Sequence, residues 1–203
     1  MENLRTKEIK IGTIQAWLDN DTAVANKIIE KYSDINTDYE WYDFTYETFV
    51  KTAAKVGFEL NLSDIQFSGF SSQGDGASFT GSIDVLGYLT VTRQLTKFKY
   101  LRKSIINGDI NDMLEIERGH SNYSHENTCS VEEFNVFGYD DMSDKALNQT
   151  TEFEEHIEDI RHTMSLNLYK MLENTYNELT SRECIIETLA ANEYEFNEYL
   201  EMV

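Results

Sequence analysis

Residues 65–79, IQFSGFSSQGDGASF, set small polar side chains and glycines between two aromatic, alternating flanks. Glycines allow positive φ and leave backbone N–H groups bare. Consecutive N–H groups, with Ser71, Ser72 and Gln73 beside them, form the kind of nest that holds an anion. Asp75 cuts across that reading: a carboxylate repels phosphate, but suits a cation, a ribose hydroxyl or a base amine. The plainer alternative is a tight hairpin turn in which Gly74, Asp75 and Gly76 are turn chemistry and nothing more, and on pattern alone this is favoured.

A second polar stretch, RGHSNYSHEN at 118–127, carries His120 and His125, with Cys129 just beyond. These three, with Asp75 as a fourth, are the candidate metal ligands. Their spacing argues against a metal: five residues on a strand put the two histidines on opposite faces, and there is no CxxC pair. For hydrolysis, His125 is the candidate base, Asp75 or Glu126 would orient it, and Arg118 would stabilise charge on a phosphodiester. No GxSxG, HExxH or Walker pattern accompanies them. His156 and His162 lie six apart on a predicted helix, on different faces, and are assigned no role.

The string FSGFSSQGDGASFTG resembles a segment of a family of uncharacterised proteins from tailed phages and their bacterial hosts, some members of which carry antitoxin-like labels. Three further segments are similar to that family in the same order: Glu40–Asp43, the stretch with Arg118, His120, Tyr123 and His125, and a C-terminal stretch from Leu179 to Phe196. Ser71 departs from the family pattern, which has a bulky aromatic there; a stacking role at that position is therefore not expected. The resemblance implies that the four segments share a site. Its members would be Trp41, Tyr42, Phe70, Ser72, Gln73, Gly74, Asp75, Gly76, Arg118, His120, Tyr123 and His125. Aromatic faces that stack a base, an Arg for phosphate and Asp or Gln for polar edges suit a nucleotide-like ligand.

The elements that would position these residues follow from periodicity. Ile9 and Ile11 suggest a short edge strand. Asp21 is a candidate N-cap for a helix over 22–33 with Val24, Ala25, Ile28, Ile29 and Tyr32 on its apolar face. A second helix is predicted over 44–56, ending before Gly57. Alternation through 58–67 and 77–83 predicts two strands around the glycine loop, and 113–118 with 126–137 a second hairpin. Residues 86–106 read as helical with a break near Thr90–Thr92, and hold the basic cluster Arg93, Lys97, Lys99, Arg102 and Lys103. From about 152, Phe153, Ile157, Ile160, Met164, Leu168, Met171 and Leu172 form a long stripe, a core face that also suits a homodimer seam. Thr180 and Glu183 read as a capping box for a last helix, and Asp140–Asp144 as a linker. The fold class is therefore α+β, one domain over 1–203: a small antiparallel sheet packed against N-terminal helices and a long C-terminal helical hairpin.

Composition bounds the function. The chain carries 37 acidic and 17 basic side chains, a net charge of -20, with 40% hydrophobic residues. That excludes wholesale disorder and argues against direct nucleic-acid binding, which needs clustered cations. No apolar run approaches the roughly 20 residues of a membrane span. The two cysteines suit a reducing compartment. The charge is uneven, since residues 130–203 hold 18 acidic and 4 basic side chains. The expectation is a phage-type accessory, counter-defence protein of the host cytoplasm. It would bind a small nucleotide-like ligand, with a host immune signalling nucleotide as the concrete case, and need no cofactor. One alternative is an acidic inhibitor of a host defence protein, of antitoxin or DNA-mimic type. The other is a phosphodiesterase-type hydrolase.

Overall fold

The computed structural model describes residues 8–137 and 142–203. In chain order the elements are β1 (Ile11–Thr13), α1 (Ile14–Asn20), α2 (Thr22–Lys31), α3 (Asp43–Ala54), β2 (Phe58–Glu59), β3 (Ile65–Ser68), β4 (Gly76–Phe79), β5 (Gly81–Asp84), α4 (Val85–Val91), α5 (Lys99–Asn107), β6 (Met113–Arg118), β7 (Cys129–Val131), α6 (Asp144–Leu179), α7 (Arg182–Ala191) and β8 (Glu195–Asn197). They form two compact units, one from Met1–Trp41 with Asn174–Val203, the other from Tyr42–Glu173. None of the described helices is long and apolar enough to cross a membrane.

In the first unit β1 pairs antiparallel with β8, and Ile14, Trp17, Ala25, Ile28, Ile29, Ile185, Leu189 and Phe196 make one buried cluster. Asp21 caps α2 as expected, accepting from the Val24 N–H at 3.2 Å. α1 was not anticipated: it has only seven residues, buries Ile14 and Trp17, and is started by Thr13, whose hydroxyl accepts from Ala16 N–H. Two buried positions are too few for a periodic signal. α7 starts on Ser181, which accepts from Cys184 N–H, not on the expected Thr180–Glu183 box. Thr180 instead returns its hydroxyl to Tyr176 O at 2.8 Å, closing the preceding helix.

The second unit contains two sheets, both antiparallel. One has the strand order β2-β5-β6-β7 and the other is the β3–β4 hairpin. The expected run 77–83 is thus two strands in different sheets, divided at Thr80, whose N–H turns away to Asp64 O. α3 buries Tyr46, Phe49 and Ala53, and Phe79 stands edge-on to Phe49 at 5.2 Å and to Phe58 at 6.2 Å. Segment 86–106 is two helices. Thr90 and Thr92 hydroxyls bond Leu86 O and Tyr88 O, each at 2.7 Å, and Arg93 follows at φ 60.

α6 is longer than the stripe suggested. It begins at Asp144, at the end of the expected linker, of which Asp140 and Asp141 lie outside the described residues. Its buried positions are Ala146, Thr150, Phe153, Ile157, Arg161, Ser165, Leu168 and Leu172, so Arg161 and Ser165 take the fully buried places expected of Ile160 and Met164. A buried Arg is tolerable when paired. Arg161, 1% exposed, forks onto Glu158 through Nε at 2.9 Å and Nη2 at 2.5 Å. Burial alone would raise the Glu158 carboxyl. The hydrogen bonds from Arg161 and from the Val131 N–H, with the Arg161 and His162 charges, outweigh it and hold the group below its ordinary value.

Candidate functional site: the glycine loop and the 118–128 loop

The β3–β4 register opposes Ile65 to Phe79, Gln66 to Ser78, Phe67 to Ala77 and Ser68 to Gly76. Side chains alternate along each strand, so Ile65, Phe67, Ala77 and Phe79 share one face and Gln66, Ser68, Gly76 and Ser78 the other. The first is the aromatic side. Phe67 meets Tyr42 at 5.5 Å and stacks on Phe70 at 5.7 Å, and Phe70 stacks in turn on Tyr169 at 5.6 Å. Tyr42 also lies 4.9 Å from Tyr46. Burial is the main cause that raises the Tyr169 phenol, with the charges of Glu173 and Asp75 adding to it.

In the loop, two consecutive N–H groups do face an anion, and that anion comes from the loop itself. One oxygen of the Asp75 carboxylate accepts from Ser71 N–H at 2.7 Å and from Ser72 N–H at 2.6 Å, while Asp75 N–H bonds Ser72 O at 3.2 Å. A carboxylate with two backbone donors is a strong internal cap. Asp75 therefore shapes the loop, and the N–H groups of Ser71 and Ser72 face it. Ser71, Ser72 and Gln73 are exposed.

The polar face of the hairpin meets the 118–128 loop. Ser68 Oγ donates to Ser124 O at 3.2 Å and Ser124 N–H returns to Ser68 Oγ at 3.4 Å. Gly76 is required there: a Cβ would stand 2.5 Å from His125 Cβ and 2.6 Å from its Cα. Gly74, at φ +93, is packed against Tyr123, whose ring a Cβ there would meet at 3.3 Å. Arg118, at the end of β6, clamps the two loops. Its Nη1 donates to Gln66 Oε1, and its Nη2 to Tyr123 O at 2.9 Å and Ser124 Oγ at 3.1 Å.

The histidines differ. His125 is half-buried: its ring Nδ1 accepts from Asn127 N–H at 3.2 Å, its backbone N–H donates to Thr128 Oγ1 at 3.2 Å, and the Thr128 hydroxyl donates to His125 O. Glu126 binds Asn127 rather than the imidazole. His120 is exposed. Cys129 is buried. Among the described residues no three of His, Cys, Asp and Glu gather as a metal cluster. The fold thus gathers the loop Ser72–Gly76, Arg118, Tyr123 and His125 in the second unit. Trp41 belongs to the first unit, its ring 5.7 Å from Tyr176.

A family model, a domain of unknown function designated DUF8835, matches residues 41–182. The chain belongs to this family. The match takes in the whole of the second unit, with the loop and the Arg118 clamp, and leaves out most of the first. No curated protein and no solved structure matches the chain.

Two features of the family domain escaped sequence reading. His156 sits among Tyr88, Phe98 and Phe153, with Nε2 2.8 Å from Tyr88 Oη and 3.3 Å from Gln94 Nε2. Burial lowers its pKa, the Lys97 charge adds to that, and Asp159 and Glu152 oppose it. The partners come from 62 and 68 residues away, so no local spacing announces them. The second feature is that part of α6's acidity is architectural. Glu154 accepts from Phe134 N–H at 2.8 Å and Glu158 from Val131 N–H at 3.0 Å, tying the β7 segment to the helix. An acidic interaction face on this stretch would rest on the exposed Glu155 and Asp159.

Proposed function

We propose that this protein works by binding without turnover, and that the ligand is small and nucleotide-like, taken on the outer surface of the glycine loop. The observation that carries this reading is the exposed Tyr123 ring, 57% accessible, packed next to Gly74 near the exposed Gln73, Ser71 and Ser72. An exposed ring offers a face for a base, and stacking of that kind contributes about 1–3 kcal/mol per base. Gln73 and the two serine hydroxyls offer hydrogen bonds to its edges and sugar.

Absence of turnover is argued from how the reactive groups are engaged. Asp75 caps its own loop, Arg118 clamps two loops, and the His125 imidazole accepts the Asn127 N–H on Nδ1 while Glu126 accepts from the Asn127 side-chain amide. A general base needs an orienting partner and a reacting atom within reach. The phage resemblance supplies the setting: a counter-defence protein in the host cytoplasm that sequesters a host immune signalling nucleotide.

The test is a thermal-shift and calorimetric screen against cyclic dinucleotides and ADP-ribose derivatives, with mass spectrometry of the recovered ligand. Binding to one member, recovered intact, and at least about tenfold weaker for Tyr123→Ala is expected. Failure of every member to bind the folded protein overturns the reading.

A further inference from the structure

Residues 85–108 contain no Asp or Glu, although at the chain's average acidity a stretch of this length would hold about four. The same stretch carries Arg93, Lys97, Lys99, Arg102 and Lys103, in a protein of net charge -20. The fold sorts these five cations, leaving Arg93 exposed in the connection between α4 and α5. Lys97 pairs with Glu152 at 3.0 Å. Lys99, Arg102 and Lys103 sit on the outer face of α5, all exposed, with no carboxylate partner among the described residues. At i, i+3 and i+4 they share one helix face, and Ile106 at i+7 completes it. Ile106 is 63% exposed, and the four side chains line a shallow groove of about 210 Å³.

The buried side of the helix explains why this face is fixed. Leu101, Ser104 and Ile105 point inward. Tyr100 N–H and Leu101 N–H both donate to Gln149 Oε1, at 2.8 and 3.1 Å, and Gln149 Nε2 holds Lys97 O at 2.6 Å. α5 is thus pinned at its start by α6. Lys99 and Lys145 both lie over the Tyr100 ring, at 4.9 and 5.5 Å, and extend the positive area toward α6.

The geometry points to the outer face of α5 as a docking surface for a short acidic segment of a partner protein that also carries an apolar side chain. Charge complementarity selects the acidic residues. Beyond about 8 Å at physiological salt the remaining charges are largely screened, so a short ligand responds to the local cations. The exposed Ile106 at the end of the row gives an apolar side chain a seat that a phosphate backbone would not use. A polynucleotide is also disfavoured by the small number of contacts. Three cations neutralise about three phosphates, and a long polyanion meets the repulsion of the whole acidic chain.

The test is selection of a yeast-displayed random peptide library on the folded full-length protein, with the double reversal R102E/K103E and with I106S. Selected peptides are expected to be enriched in Asp and Glu interspersed with an aliphatic or aromatic residue. Their affinity should fall steeply between about 50 and about 300 mM salt. It should fall at least about tenfold on R102E/K103E and by a smaller factor, with the salt slope unchanged, on I106S. Selection of peptides without acidic enrichment, or of peptides that bind R102E/K103E as well as the parent, overturns the proposal. So does tighter binding of an oligothymidylate than of the selected peptides. Circular dichroism of the variants keeps loss of fold distinct from loss of docking.

Discussion

The glycine loop and the outer face of α5 both concentrate polar chemistry within the family domain, and their polar groups have opposite fates. In the loop they turn inward: Asp75 holds Ser71 and Ser72, Ser68 holds Ser124, and Arg118 holds Gln66, Tyr123 and Ser124. On α5, Lys99, Arg102 and Lys103 are exposed without a carboxylate partner among the described residues, Lys99 resting over the Tyr100 ring, on a helix whose buried side does the packing. A conspicuous motif therefore marks a demand of folding as readily as a site. Both proposed binding surfaces rest on exposed side chains: Tyr123 and Gln73 at the loop, the cation row at α5.

That contrast is open to direct attack. The largest effect should come from Gly76→Ala, because the added methyl would overlap the His125 backbone and one of two packed loops must move. A loss of about 3 kcal/mol in denaturant unfolding is expected, and a loss under about 0.5 kcal/mol would mean that the two loops are not locked together. Asp75→Ala should cost about 2 kcal/mol, since two backbone donors lose a charged acceptor. Hydrogen exchange at Ser71 and Ser72 should rise with it, and unchanged exchange would remove Asp75 from the role of cap.

A smaller effect is expected from His156. Its folded-state pKa is lowered, mainly by burial, so folding favours the neutral ring. The associated stability is fully present above the unfolded value near 6.5 and declines as pH falls below it toward the folded value. Melting curves should show a steeper fall below about pH 6.5 in the parent than in His156→Gln, which keeps a polar partner for Tyr88; identical profiles would remove His156 as the titrating group. The smallest effect on stability is expected for R102E/K103E, within about 0.5 kcal/mol of the parent. A large loss there would mean that these cations support the fold and would erase the contrast with the loop.

Much of the secondary structure was legible in the chain. Asp21 at the start of α2, the residues of α3 and the strands flanking the SSQGDG loop were all marked by local spacing. α1 was not, because seven residues with two buried positions give no period. The stripe on α6 misled at three positions: Ile160, Met164 and Met171 are only partly buried, while Arg161 and Ser165 are buried. Hydrophobic periodicity assumes that charged residues face water. Arg161 escapes that assumption by pairing with Glu158, whose other hydrogen bond comes from a strand 27 residues earlier.

The sequence by itself determined most of the elements, the α+β class, the place of the glycine loop and the acid-free basic segment, because each depends on residues near one another in the chain. Only the tertiary structure decided which polar groups remain available. Arg118 reaches Gln66 across 52 residues and Ser68 reaches Ser124 across 56. α5 turns its cations outward because Gln149, about 50 residues on, takes the N–H groups at its start. Hydrogen-bond satisfaction of a buried group is a property of whatever the fold sets beside it, and no spacing along the chain encodes that neighbour.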